Sequence, residues 1–210
     1  MTGHRRLLIG ITGNIGTGKS VVAGMLSELG AQVIDADKVA HEVMRSGTCV
    51  HARIIKAFGP EIMASDGEID RSRLGTIVFA DPALLARLES IVHPATIEAI
   101  GQRVAATGTG VIVVEAIKLI ESGMADACDS VWVPTCRPEQ QICRIVARGL
   151  NLADAEQRLR AQPPQDDKVA CADVVIDNSG SLCQTRKQVE AAWARLVGSE
   201  ETCGEDHGPG

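Results

Sequence analysis

The stretch "LLIGITGNIGTGKS", Leu7 to Ser20, decides the fold. Its first five residues, Leu7–Ile11, form an apolar run of strand length. The last eight, Gly13–Ser20, fit G-x-x-x-x-G-K-[ST], and an amphipathic pattern (Val22, Met25, Leu26, Leu29) follows as far as Gly30. Strand, glycine-rich loop and helix in that order form an anion cradle. Glycines let backbone N–H groups turn inward without a Cβ in the way. The helix that starts after Gly18 adds the positive end of its dipole. Lys19 brings a point charge to the β- and γ-phosphates, and the Ser20 hydroxyl suits a divalent cation. A nucleoside triphosphate is therefore expected against Asn14, Ile15, Gly16, Thr17, Gly18, Lys19, Ser20 and Val21.

Four further Val/Ile-rich runs lie beyond this loop: Gln32–Asp35, Val111–Glu115, Ser130–Pro134 and Asp173–Asp177. None has a clean period of two, as befits strands buried on both faces. Helical patterns separate them, which predicts an α/β fold with a five-stranded parallel sheet. The gap between the second and third strands exceeds one crossover, so residues 39–106 are read as a helical insertion. Within it, Asp81 and Pro82 mark the start of a helix. A further helix begins near Pro138 and ends at Gly149. Residues 147–168 are polar, carry Arg148, Arg158, Arg160 and Lys168, and end near Pro163-Pro164, which reads as a mobile lid. The nucleotide-binding core then comprises 1–38, 107–146 and 169–197. The acidic, Gly-rich end, 198–210, is expected to be disordered.

Composition narrows the function. The 210 residues are 45% hydrophobic, enough for one sizeable core. The formal charge of −6 argues against a protein that coats nucleic acid. Seven scattered cysteines without a C-x-x-C pair read as reduced thiols. No stretch is long and apolar enough for a bilayer, and Gly10, Thr12 and Gly13 interrupt the first apolar run too early for an export signal. A cytoplasmic location is expected, with no membrane partner.

Several P-loop classes share such a cradle. A GTPase base reader of the N-K-x-D type is absent, and "DNSG" (Asp177–Gly180) follows the last strand, too late for a γ-phosphate switch. "VIDAD" (Val33–Asp37) places two carboxylates at the end of the second strand, where ligands of parallel sheets bind. A carboxylate there either caps the helix that follows or accepts a proton from an attacking hydroxyl.

Together "GNIGTGKS", "VIDADKVAHEV", "FGPEI", "DGEIDRSRLGTIVF", "LESIVHP" and "ADVVIDNSGS" resemble the dephospho-coenzyme A kinases, from about Leu7 to Leu196. The resemblance implies a P-loop three-layer fold with a helical CoA-binding domain and a lid. It also implies transfer of the γ-phosphoryl of ATP, with Mg²⁺, to the ribose 3′-hydroxyl of dephospho-CoA. Carried onto this chain, it makes Lys19, Asp37 and Arg148 catalytic, with Asp37 facing the acceptor hydroxyl and Arg148 approaching the phosphates. Arg144, one helical turn before Arg148 and on the same face, is expected from that spacing to assist at the nucleotide site. His41, Arg71, His93, Pro94 and Leu119 would line the acceptor site, and Ser20 with Glu115 would hold the metal. Blander roles stand beside these: His93-Pro94 as a helix stop, Arg71 as a partner of Asp70 or Glu68.

The chain departs from the family pattern in three places. Asn14 replaces a common Gly, and Val21 a common Thr. The segment after the third strand reads "EAIKLIE", Glu115–Glu121, where the family usually shows Asp-x-Pro-Leu-Leu-x-Glu. Lys118 then either meets a substrate phosphate or pairs with Glu115 or Glu121, and another small alcohol or nucleotide acceptor stays open. A nucleotide-responsive binding protein without turnover is the rival from another class. Oligomeric state is left open.

Overall fold

The computed structural model describes residues 6–108 and 110–201. Its elements run β1 (Leu7–Ile11), α1 (Lys19–Glu28), β2 (Gln32–Asp35), α2 (Ala36–Val43), α3 (Cys49–Phe58), α4 (Arg71–Ala80), α5 (Pro82–Ala106), β3 (Val111–Glu115), β4 (Ser130–Thr135), α6 (Pro138–Ala147), α7 (Leu152–Arg160), α8 (Gln165–Ala170), β5 (Val174–Asp177) and α9 (Leu182–Glu201). The five strands form one sheet in the order β2-β3-β1-β4-β5. Its central strand β1 pairs in parallel with β3 (Ile9 opposite Val113) and with β4 (Gly10 opposite Val131). The sheet is thus the parallel one expected, with strand ends within a residue of those read from the sequence.

Two compact units share the chain. One takes it up to Val33 and again after Gly108; the other is Ile34–Gly108, so the helical unit begins earlier than Val39. In the sheet unit, Ile9, Ile11, Val113 and Trp132 pack with Val22, Leu26, Val189 and Ala192 from α1 and α9. Burial on both faces is why the strands lack alternation. Helix α1 ends where Gly30 adopts φ 101°, a left-handed turn that lets Ala31 N–H reach back to the Leu26 carbonyl.

The helical unit has its own core of Val50, Ile54, Phe58, Ile62, Leu74, Val78, Ile91 and Val92. Side-chain caps set its helix starts: Thr48 accepts from His51 N–H, Asp70 from Ser72 and Arg73 N–H, and Asp81 from Ala83 N–H. The His93-Pro94 pair does not stop a helix. Helix α5 runs through Pro94 to Ala106, because Ile91 and Val92 before it and Thr96 and Ile100 after it are all buried. Packing on both sides outweighs the one backbone hydrogen bond a proline removes.

One reading of the end of the chain changes. Helix α9 continues to Glu201, through positions assigned to the acidic tail; residues 202–210, expected to be disordered, lie outside the described residues. Ile54 is fully buried in the helical core. Ile54→Ala should therefore cost about 2–5 kcal/mol, read as a lower urea midpoint for the helical unit.

Candidate active site

The loop between β1 and α1 is held by its carbonyls. Gly13 and Asn14 carbonyls accept from Lys19 Nζ at 2.9 and 3.3 Å. The Gly16 carbonyl accepts from Arg144 Nη1 at 3.2 Å and from the Cys136 thiol at 3.5 Å. The Thr17 carbonyl accepts from Asn178 Nδ2 at 2.9 Å and from Arg144 at 3.4 Å. By contrast, among the described residues no acceptor meets the N–H groups of Gly16, Gly18 or Ser20. Donors left open at the start of a helix, with carbonyls tied away from them, form an anion nest. Gly18 caps α1 at φ 102°, and a Cβ there would collide with the Asn178 side chain. Asn14, by contrast, needs no left-handed backbone, since positive φ falls only on glycines among the described residues.

Asn178 was not singled out in the sequence, where "DNSG" was set aside as too far along the chain. Its amide is buried, its Oδ1 accepts from Thr185 Oγ1 at 3.0 Å, and its Nδ2 reaches the loop. Arg144, expected at the nucleotide site, is bound to the loop itself. Its guanidinium donates to the Gly16, Thr17 and Asn178 carbonyls and so braces the loop. Burial is the main influence raising the Cys136 thiol, which stays a neutral donor to Gly16.

Ser20 Oγ donates to Glu115 Oε1 at 2.8 Å, joining the loop to the end of β3. A hydroxyl and a carboxylate offer two hard oxygen donors, a set that fits Mg²⁺ bound mainly through substrate phosphates and water. Among the described residues no group of three His, Cys, Asp or Glu side chains could hold a metal without such help. Val21 is exposed in the first turn of α1. Leu119, expected at the acceptor site, is fully buried and packs against Gly10, which makes it a core residue in this structure.

Helices α7 and α8 carry the segment read as a lid. Arg148 is exposed at the C-terminal cap of α6, and Arg160 pairs with Glu156 at 3.1 Å. Lys168 is buried instead of presenting charge to solvent; it donates to the Ile117 carbonyl at 3.0 Å and to Glu121 at 2.7 Å. Glu121 thus has Lys168 as its hydrogen-bonded partner, a pairing that the "EAIKLIE" segment did not suggest. Gln162 and Gln165, also not singled out, accept from the N–H groups of Ile15 and Asn14.

In the helical unit, Asp35 caps α2 by accepting from Lys38 N–H at 3.1 Å, while Asp37 stands exposed in the first turn. A cavity of about 610 Å³ opens in the same unit, with His41, Arg45 and Arg71 beside apolar Leu74, Val78 and Phe79. Asp70 pairs with Arg73, and Glu68 accepts from Ser46 N–H, so neither is taken by Arg71. Among the described residues His41, Arg45 and Arg71 carry no ion pair. His93 is half-buried and Pro94 exposed on α5.

The sequence model of the dephospho-CoA kinase family matches residues 7–184. A dephospho-CoA kinase of Geobacter sulfurreducens is 45% identical over 192 residues, covering 90% of this chain and 98% of its own length. Among solved structures, TT1252 from Thermus thermophilus superposes with a TM-score of 0.80 at 32% identity, covering 92% of this chain and 98% of that one. A dephospho-CoA kinase from Campylobacter jejuni gives 0.67 at 25% identity, over 93% and 100%.

The Lys168–Glu121 pair generates a pH dependence. Burial alone would raise the Glu121 carboxyl, but the hydrogen bond from Lys168 and its charge hold it below the ordinary 4.5. A folded-state value below the unfolded one gives stability that is full above the unfolded value and is lost as pH falls through the folded one. Thermal melts between about pH 5 and pH 3 should therefore show a shallower acid loss for Glu121→Gln than for the unchanged protein.

Proposed function

Because the chain belongs to the dephospho-CoA kinase family, we propose that it transfers the γ-phosphoryl group of ATP to the ribose 3′-hydroxyl of dephospho-CoA. The products are coenzyme A and ADP, and the reaction is the last step of coenzyme A synthesis. The observation that carries this reading is the nest itself, whose unbonded N–H groups at Gly16, Gly18 and Ser20 suit the phosphates of a nucleotide.

In the step, the acceptor 3′-oxygen forms a bond to the γ-phosphorus as the bond to the β-bridging oxygen breaks, and ADP leaves. Asp37 orients the hydroxyl and takes its proton, a role supported by an exposed carboxylate in the first turn of α2. Lys19 and Arg148 stabilise the charge on the moving phosphoryl group. Ser20 and Glu115 would hold Mg²⁺, which when bound neutralises phosphate charge. Of residues 147–168, read as a lid, the part up to the end of α7 acts to exclude water, while Gln162, Gln165 and Lys168 anchor its end. His41 and Arg71 meet the acceptor's diphosphate at the cavity, whose apolar wall suits the pantetheine arm. His93 and Pro94 lie outside that cavity's lining, and their place in the acceptor site rests on the family resemblance. A cytoplasmic setting, where ATP and the acceptor are available, is part of the same reading. Among the described residues no helix is long and apolar enough to cross a membrane.

Incubation with ATP, Mg²⁺ and dephospho-CoA should add one phosphate to the acceptor by mass spectrometry, with equimolar ADP. ADP formed only with a different alcohol would reassign the acceptor, and no ADP with any acceptor would leave a binding protein. Asp37→Asn should lower kcat by about 100-fold or more while ATP affinity stays near normal. Turnover within a few-fold of the unchanged enzyme would remove Asp37 from the base role.

A further inference from the structure

The nest has two halves that the protein treats differently. Its later donors, at Gly16, Gly18 and Ser20, are left open, whereas the two N–H groups before them are bonded from outside the loop. Asn14 N–H donates to Gln165 Oε1 at 2.8 Å, and Ile15 N–H donates to Gln162 Oε1 at 2.9 Å. Between these glutamines, the Pro163 carbonyl accepts from Asn14 Nδ2 at 2.9 Å. Three bonds therefore fasten the two residues at the loop's entrance to the stretch Gln162–Gln165, where the turn after α7 enters α8.

That turn is itself fixed. Pro163 and Pro164 restrict its backbone. Gln165 Nε2 donates to the Pro134 carbonyl at the end of β4, at 3.3 Å. One turn further along α8, the buried Lys168 ties the helix to the Ile117 carbonyl and Glu121. The pattern at Asn14 is informative in its own right. Its side-chain amide adds the third bond, which a glycine at that position would lack.

We propose that Gln162 and Gln165 are positioning residues, which hold the entrance of the phosphate loop in its nucleotide-ready shape before any nucleotide arrives. They do so through backbone N–H groups alone and leave the open donors to the phosphates. Because both glutamines belong to the α7–α8 segment, the seating of that segment and the order of the loop become one equilibrium. A loop without these bonds must be ordered by the nucleotide itself, and that ordering is subtracted from binding. The loss falls equally on ground and transition states, so it appears in nucleotide affinity and not in the chemical step.

The inference rests on the kinase reading for its kinetic arm only. In calorimetric titrations with ADP and Mg²⁺, and no acceptor present, Gln162→Leu and Gln165→Leu should each weaken binding about threefold, and the double variant about tenfold. With ATP and dephospho-CoA, the KM for ATP should rise in parallel. The KM for dephospho-CoA should stay within about twofold and kcat within about threefold. Unchanged ADP affinity in both single variants overturns the proposal, whether or not their melting temperatures fall. A fall in kcat at unchanged nucleotide affinity also overturns it, since it would make the glutamines part of the chemical step. If the double variant does not fold, the single variants decide. If the unchanged protein fails to phosphorylate dephospho-CoA, the proposed function falls, and the ADP titration still decides the clamp.

Discussion

Everything at the nucleotide site depends on where the peptide carbonyls between Gly13 and Thr17 point. A peptide unit presents its N–H and its C=O in opposite directions, so fixing one fixes the other. Lys19, Arg144, Cys136 and Asn178 take the carbonyls of Gly13, Asn14, Gly16 and Thr17 from four positions in the sequence. Their peptide partners, the N–H groups of Asn14, Ile15, Thr17 and Gly18, are thereby aimed before a ligand is present, and of these the Gly18 N–H is the one left open among the described residues. Such preorganisation is what gives fixed dipoles their worth at a charged transition state. The cost appears at Gly18, where backbone and Asn178 approach so closely that no side chain fits.

Bracing of this kind links distant parts of the sheet unit. Arg144 lies on α6, Asn178 follows β5, and Gln162 and Gln165 flank the turn into α8, yet all converge on one loop. The Ser20–Glu115 bond adds the end of β3. Buried Lys168 belongs to the same web: its bonds hold α8 to the segment just beyond Glu115. A lysine so placed is tolerable because its charge meets a carboxylate and a carbonyl together.

The strands, the phosphate loop and the helix start at Asp81-Pro82 were legible in the sequence because each is written locally. Apolar runs, glycine spacing and capping residues act over a few positions. What could not be read has a common cause. Arg144 meets Gly16 across 128 residues, and Gln162 meets Ile15 across 147, so no window of sequence contains both partners. Helical spacing from Arg148 pointed to Arg144, as a nucleotide contact, and its bonds to the loop carbonyls lay outside that pattern. Lys168 looked like surface charge because its partner Glu121 lies far away in sequence. Leu119 belonged to a segment that departs from the family pattern, and it folds inward against Gly10. At His93-Pro94 the local rule against helix before proline was sound, but buried residues on either side carry α5 through.

The helical unit enters and leaves the chain only once, after Val33 and at Gly108, and it encloses a core built wholly from its own side chains. Substitutions inside that core are met by side chains of the same unit. Such an arrangement lets evolution rework one module while the other stays under constraint. Lineages that share the same phosphate loop can therefore drift apart in this insert, much as interchangeable heads fit one handle.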